Sequence, residues 1–132
     1  MMRSRSLVST VLAALVITLF GAAAAQEAWL DHPLTDVATG ETFTVADYGG
    51  TAVLIETMAT WCGNCRRQLT NLRDAREALD AAGVEVAYLV VSVERGLPDA
   101  ALAGYAERQE FPFRFAVADD ALLGLLADRF GR

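Results

Sequence analysis

Two apolar runs separated by a helical pattern constrain the fold of this chain more than any other feature. Residues 52–58 and residues 84–93 are mostly apolar and are bounded by turn residues, which is typical of buried strands. Between them, residues 62–82 place leucines and alanines on one face at helical spacing, and Gly83 follows as a left-handed helix cap. Because two strands joined by a helix are expected to lie parallel in one sheet, the chain is predicted to be an α/β protein.

The same alternation continues on both sides of this unit. A β-hairpin is predicted before it, and a helix, a strand and a final helix after it. Asp119 and Asp120 are both candidate N-caps for the final helix. These flanking elements are a hairpin of residues 34–37 and 41–45, a helix that begins near Pro98 and ends at Phe111-Pro112, a strand of residues 113–118, and a helix of residues 121–130.

The charge of the chain excludes some classes of partner. Its 132 residues are enough for a single domain. Residues 26–132 carry 9 arginines, no lysine and 17 acidic side chains, which is a net charge of −8. A domain this acidic is not expected to bind nucleic acid or an anionic lipid surface.

Residues 1–25 are predicted to be a signal peptide that precedes a domain of residues 26–132. Two arginines form a basic start, residues 7–20 are apolar, and small residues lead to a cleavage site before Gln26. The alternative is a retained membrane anchor, because residues 7–25 contain no charge over 19 positions. In either case the domain is expected to leave the cytosol, as a soluble or a membrane-tethered protein of the periplasm or another extracytoplasmic space.

The two cysteines of the chain, Cys62 and Cys65, are too close together to act as a structural staple. A disulfide between them would close almost no loop and would restrict the unfolded chain little. A zinc site needs about four ligands, and His32, in a segment expected to be solvent-exposed, is the only other strong candidate. Covalent haem attachment would need a histidine where Arg66 stands. The pattern favours redox chemistry, and the alternative is a metallochaperone or other module that binds a soft ion such as Cu(I).

The predicted position of the pair assigns different roles to the two sulfurs. Cys62 falls between the end of a strand and the start of a helix, where free amide donors and the helix dipole favour the thiolate. Cys65 lies one turn further along the same helical face. Cys62 is therefore expected to attack or to be attacked, and Cys65 is expected to resolve the mixed disulfide.

The residues around the pair resemble a known family. Residues 52–65, AVLIETMATWCGNC, are similar to the active-site strand and turn of thioredoxins, and residues 33–36, 40–45 and 47–50 resemble the N-terminal hairpin of exported thiol–disulfide oxidoreductases of the TlpA/ResA type. The resemblance implies a thioredoxin-like sandwich and reduction of protein disulfides outside the cytosol. It also implies recharging by a membrane electron-transfer protein and a role in cytochrome c maturation or a related pathway. No cofactor is expected, and fold-level likeness does not choose the substrate.

The resemblance also assigns roles to the neighbours of the cysteines. Glu56 matches the buried acid that thioredoxins place behind their cysteines, so it is expected to face inward and to take the proton from Cys65. The alternative is a glutamate at the edge of a strand that faces water. Trp61 is expected either to shield the sulfurs and contact the partner or to be a core aromatic. Gly63 and Asn64 replace a more usual proline-containing pair and tune the redox potential, which leaves open whether the protein is a reductant or an oxidant. No metal ligand set is expected here.

Two departures from the family pattern bear on activity. Gln68 stands where many of these proteins carry a glutamate, so the role of that acid is missing. The family also carries a cis-proline loop that faces the cysteines, followed by two strands and a final helix. This chain ends at Gly131-Arg132, near the point where that loop would begin, and Pro112 comes too early to replace it. The chain is therefore expected to be a fragment of a thioredoxin-like domain, or a truncated protein with impaired exchange.

Overall fold

The computed structural model describes residues 28–131, so the predicted signal segment of residues 1–25 lies outside it. The order of the described elements confirms the predicted hairpin followed by alternating strands and helices. None of the described helices is both long and apolar enough to span a bilayer. The elements are β1 (Leu34–Thr35), β2 (Thr42–Phe43), a 3-10 helix (Val45–Tyr48), β3 (Ala52–Met58), α1 (Gly63–Ala81), β4 (Val86–Ser92), α2 (Asp99–Arg108), β5 (Arg114–Val117) and α3 (Asp120–Phe130).

Strands β3, β4 and β5 form one parallel sheet in that order, so β4 is the central strand. Met58 of β3 pairs with Ser92 at the end of β4, and Leu89 of β4 pairs with Arg114 of β5. Residues 88–92 are buried, because both faces of the central strand are covered. The two parallel pairings confirm the predicted helical crossovers.

Strand β3 lies at the edge of this sheet, which corrects the prediction of a buried strand. Four of its seven residues are only half-buried, and Met58 is the one member that is buried. Within residues 28–131 no strand pairs with the outer side of β3. An apolar run indicates that the faces of a strand are covered, but it carries no information on whether both hydrogen-bonding edges are paired.

Two apolar clusters cover the two faces of the sheet. Each fully buried aliphatic or aromatic side chain stabilises the fold by about 1.5–3 kcal/mol, so these clusters hold the layers together. The first joins α1 and α2 to the sheet through Met58, Leu69, Val90, Leu102 and Phe115. The second joins the hairpin and α3 to the opposite face through Leu34, Phe43, Leu89, Val91 and Leu122.

Arg114 joins the N-terminal hairpin to the sheet, and the sequence pattern did not predict this. Its Nε donates to Asp36 Oδ2 at 2.9 Å, and its two terminal nitrogens donate to Tyr48 Oη at 3.1 Å and to the Glu41 carboxylate. The guanidinium carbon lies 3.9 Å from the centroid of the Phe43 ring. Burial alone would raise the pKa of Asp36, but a backbone N–H of the hairpin turn and the Arg114 guanidinium outweigh it and hold that pKa below its ordinary value.

The segment before β1 packs on α3. The rings of Trp29 and Phe130 meet edge to face, with centroids 5.6 Å apart. His32 Nε2 lies 3.1 Å from the carboxylate of Asp119, and the His32 side chain is only 14% exposed. This corrects the expectation of a solvent-exposed histidine, because a partner 87 residues away is not visible in the local sequence.

Asp119 caps α3, and Asp119→Ala is expected to lower the free energy of unfolding by about 1 kcal/mol at neutral pH. Its carboxylate accepts the backbone N–H of Leu122 at 2.7 Å, and this bond, together with that from His32, lowers the pKa of Asp119. A carboxylate with a lowered pKa stabilises the fold above its unfolded pKa, so the difference is expected to shrink as the pH falls below about 4. Urea unfolding at several pH values measures this.

Asp119→Asn is the control for this prediction, because its amide oxygen can still accept the capping hydrogen bond. At neutral pH its free energy of unfolding is expected to lie closer to that of the unmodified protein than the value for Asp119→Ala does. A loss of stability in Asp119→Ala that is the same at acidic and neutral pH would contradict the prediction.

Candidate redox site at the start of the first helix

The two cysteines lie at the N-terminus of α1 and are joined by a disulfide bond. Cys62 is the N-cap residue, and its Sγ accepts a hydrogen bond from the backbone N–H of Cys65 at 3.1 Å. The backbone oxygen of Cys62 accepts the N–H of Arg66, which starts the helical ladder. The predicted placement of the pair between the end of a strand and the start of a helix is confirmed.

Both cysteines are half-buried, but their surroundings differ. Cys65 packs against the apolar cluster that contains Met58 and Leu69. Cys62 stands between Trp61 and Gly63, which are both exposed. An amide donor and the positive end of the helix dipole favour a thiolate at Cys62 once the disulfide is reduced. The arrangement suits Cys62 for attack from outside and Cys65 for a reaction within the protein.

A short turn after β3 brings Cys62 to the start of α1. The backbone oxygen of Met58 accepts the N–H of Val93, which ties the end of β3 to the segment after β4. The N–H of Cys62 then donates to the backbone oxygen of Ala59 at 3.0 Å and closes the turn. The turn spans only residues 59–62. The position of the Cys62 sulfur therefore depends on the few hydrogen bonds that hold these residues.

Glu94, which follows the neighbouring strand β4, holds this turn, and the sequence pattern did not predict this contact. Its Oε2 accepts the backbone N–H of Thr60 at 3.0 Å and the Thr60 hydroxyl at 2.7 Å. Glu94 follows the end of β4, and the carboxyl ends of the parallel strands β3 and β4 meet at the same side of the sheet. An acidic residue directly after a predicted buried strand is the signal that could have indicated this contact.

The surface around Cys62 is built from the exposed residues that the sequence singled out. Trp61 is 79% exposed, which excludes the core-aromatic alternative and leaves its ring available to a partner. Gly63 and Asn64 are also exposed, and the Asn64 side-chain oxygen accepts a hydrogen bond from the Arg67 guanidinium. A molecule that approaches the disulfide therefore meets one large aromatic side chain and little steric obstruction from the two residues between the cysteines.

Glu56 lies on the side of β3 that is turned to α1, but it is only half-buried. Gln68 of α1 donates from Nε2 to Glu56 Oε2 at 3.3 Å. The two side chains line an open groove of about 370 Å³ together with Leu54, Asn71 and Leu72. Glu56 is less enclosed than the sequence predicted, because β3 is the edge strand of the described sheet and has a neighbouring strand on one side only.

Within residues 28–131 no group of three or more His, Cys, Asp or Glu side chains is arranged to hold a metal ion. His32, the further candidate ligand in the sequence, contacts Asp119 instead.

Comparison with known proteins relates this site to a family. The model of the AhpC/TSA family matches residues 25–130, which include the complete strand, turn and helix around the cysteines. Comparison with curated protein sequences gives no match.

Solved structures of thioredoxin-like proteins share the fold. The thioredoxin domain of a thiol-disulfide oxidoreductase from Bacteroides vulgatus has a TM-score of 0.61 at 17% identity, over 75% of this chain and 67% of that chain. A secreted disulfide oxidoreductase of Mycobacterium tuberculosis, homologous to E. coli DsbE, has a TM-score of 0.59 at 17% identity, over 76% of this chain and 68% of that chain. A thiol:disulfide interchange protein of the thioredoxin family from Chlorobium tepidum has a TM-score of 0.60 at 18% identity, over 74% of this chain and 63% of that chain. The chain thus has a thioredoxin-like fold and spans about two thirds of each of these chains.

Proposed function

The chain belongs to the AhpC/TSA family of thioredoxin-like proteins, and on that premise we propose that it is a thiol–disulfide oxidoreductase that reduces protein disulfides. The observation that carries the proposal is the Cys62–Cys65 disulfide at the N-terminus of α1, beside the exposed Trp61. A disulfide that closes so short a loop contributes little to stability, so its placement at the surface supports a redox role.

The proposed reaction starts from the dithiol form of the pair. The Cys62 thiolate attacks one sulfur of the substrate disulfide, so that a Cys62–substrate bond forms and the other substrate sulfur leaves as a thiolate. Cys65 then loses its proton and attacks Cys62 Sγ, which forms the Cys62–Cys65 disulfide and releases the second substrate thiolate. Two electrons pass from the pair to the substrate, and the two released thiolates take up two protons.

The side chains around the pair have proposed roles in these steps. Glu56 is the proposed base for the Cys65 proton, because its carboxylate lies on the α1 side of β3 and its groove has room for water that carries the proton. Trp61, Gly63 and Asn64 form the proposed contact surface for the substrate, because all three are exposed around Cys62.

The proposed place of action is outside the cytosol. The predicted signal peptide or tether of residues 1–25 supports this, and one of the structurally similar proteins is described as secreted. A reductant in such a compartment must be recharged with two electrons after each turnover. We therefore propose a membrane electron-transfer protein as its redox partner, and a protein disulfide of cytochrome c maturation or a related assembly pathway as its substrate.

Insulin reduction tests the proposed activity. The full-length protein, kept reduced by dithiothreitol, is expected to accelerate the precipitation of insulin chains, and Cys62→Ser is expected to abolish the acceleration because the attacking sulfur is lost. The absence of acceleration by the unmodified protein, together with tight stoichiometric binding of Cu(I) to the reduced pair, would reject the activity in favour of a metal-binding module.

The reduction potential of the pair tests the proposed direction. Equilibration with glutathione buffers, followed by alkylation and mass spectrometry, measures the fraction of reduced protein. A potential near that of thioredoxin, about −270 mV, would support a reductant, whereas a potential near about −120 mV would identify an oxidant and overturn this part of the proposal.

A further inference from the structure

The contact between Glu94 and Thr60 concentrates two hydrogen bonds on one carboxylate oxygen. Thr60 donates both its backbone N–H, at 3.0 Å, and its hydroxyl, at 2.7 Å, to Glu94 Oε2. Both residues are only partly accessible to solvent. Hydrogen bonds that are partly shielded from water are stronger than fully exposed ones. This contact therefore restrains the backbone of Thr60 more firmly than an ordinary surface bond.

Glu94 is itself attached to the rigid centre of the sheet. Its backbone N–H donates to the hydroxyl of Ser92, which is fully buried at the end of β4. The preceding residue, Val93, donates its N–H to the backbone oxygen of Met58. The carboxylate of Glu94 thus reaches the turn from a fixed base, whereas a side chain on a mobile loop would transmit no positional constraint.

The turn that Glu94 holds is buried only at its first residue, Ala59, which is 6% exposed. Only Trp61 separates Thr60 from Cys62, and the Trp61 side chain is 79% exposed, so it does not anchor the turn in the core. The hydrogen bond from Cys62 to Ala59 closes the turn but does not fix it to the rest of the sheet. The bonds from Thr60 to Glu94 supply that connection.

We propose that Glu94 is a positioning residue for the dithiol pair, which acts through Thr60 to hold the Cys62 sulfur at the start of α1. In that position Cys62 Sγ accepts the N–H of Cys65. The biological meaning of this role rests on the proposed function, but the role itself concerns only the reactivity of the two sulfurs. The role depends on the position of the Glu94 oxygen and not on its negative charge, because both bonds from Thr60 need only an oxygen acceptor.

Two reactions of the full-length protein test this role without a protein substrate. The first is reduction of the disulfide by dithiothreitol, which measures access to Cys62 Sγ. The second is alkylation of the reduced protein by iodoacetamide as a function of pH, which measures how readily Cys62 forms a thiolate. Both are compared in Glu94→Ala, Glu94→Gln and Thr60→Val, with Glu107→Ala on the exposed side of α2 as the matched control. Thermal unfolding of each variant shows whether it is folded.

Glu94→Ala is expected to slow disulfide reduction about tenfold and to shift the alkylation midpoint to higher pH, because the sulfur loses its fixed place near the Cys65 amide. Glu94→Gln keeps an oxygen acceptor. Its rate of disulfide reduction is expected to lie within about twofold of that of the unmodified protein. Its alkylation midpoint is expected to return to that of the unmodified protein. Thr60→Val keeps the backbone bond and is expected to give an intermediate rate. Glu107→Ala is expected to change neither property.

The inference fails if folded Glu94→Ala reduces its disulfide at a rate within about twofold of the unmodified protein and keeps the same alkylation midpoint. It also fails if Glu94→Gln is as slow as Glu94→Ala, since the charge and not the acceptor geometry would then matter. If Glu94→Ala does not fold, Thr60→Val decides the question, and an unchanged rate and midpoint in that variant reject the role. Failure of the unmodified protein to reduce insulin would instead reject the proposed function. The rates of disulfide reduction and the alkylation midpoints of the variants would still test the role of Glu94.

Discussion

Cys65→Ser is expected to turn the protein into a trap for its substrate. Cys62 keeps its place as the N-cap of α1 and can still attack a substrate disulfide, but no second thiol follows to release the product. Turnover in the insulin assay is expected to fall at least about 100-fold. A covalent adduct with an insulin chain is expected to accumulate when the reduced variant is mixed with insulin after the dithiothreitol has been removed. Non-reducing electrophoresis and mass spectrometry of the adduct measure this.

The opposite variant is the matched control for the trap. Cys62→Ser leaves Cys65 packed against the apolar cluster of α1 and the sheet, where it is less accessible to a protein partner. It is expected to lose turnover to the same extent and to form no adduct. Equal amounts of adduct in the two variants would contradict the division of roles between the two sulfurs, even if both variants were inactive.

Arg114→Ala is expected to have the largest effect on stability. The variant loses the hydrogen bonds to Asp36, Tyr48 and Glu41 and the contact with the Phe43 ring. It also leaves the Asp36 carboxylate, which is only 11% exposed, without its guanidinium partner. Removing one partner of such a partly buried pair is expected to lower the free energy of unfolding by about 2–3 kcal/mol. The melting temperature is expected to fall by about 8 °C or more.

Arg95→Ala is the control for this prediction, because Arg95 also pairs with an acid but both side chains of that pair are more than 70% exposed. An exposed ion pair contributes about 0–1 kcal/mol, so the control is expected to melt near the unmodified protein. If the melting temperature of Arg114→Ala were as high as that of Arg95→Ala, the contacts of Arg114 would not hold the hairpin to the sheet.

The effect of Arg114→Ala is also expected to depend on pH. Asp36 has a lowered pKa in the folded protein, so its contribution is complete above its unfolded pKa, about 3.9, and is lost as the pH falls through the lower folded value. The difference between Arg114→Ala and the unmodified protein is therefore expected to narrow in acid. Urea unfolding at neutral and acidic pH measures it, and a constant difference would argue against the ion pair as its cause.

Several of these features follow from the local sequence and others do not. The strand of residues 52–58 and the N-cap position of Cys62 were predictable, because an apolar run, a turn and a helical spacing each extend over a few neighbouring residues. The start of α2 directly after Pro98 and the cap at Asp119 belong to the same class of local signal. The family resemblance rests on residues 33–36, 40–45, 47–50 and 52–65, and the match to the AhpC/TSA family confirms it.

The exposure of the candidate site residues was only partly predictable. The sequence left Trp61 between a core and a surface position, and an aromatic residue beside a buried strand is compatible with both. Glu56 was expected to be inward, but how much water reaches it depends on what lies beside the outer edge of β3. Such neighbours come from distant parts of a fold and leave no trace in the alternation of the strand itself.

Local sequence patterns predict which segments become strands and helices, and they place both sulfurs in the first turn of one helix. The pairing of distant polar groups depends on the folded chain: Thr60 meets Glu94, Arg114 meets Asp36, and His32 meets Asp119, at separations of 34, 78 and 87 residues. The two kinds of signal differ in the distance along the chain over which they act. Propensity, capping and apolar periodicity act between near neighbours, whereas these contacts exist only once the strands have their order and register, and no local pattern encodes the partner of a distant charge.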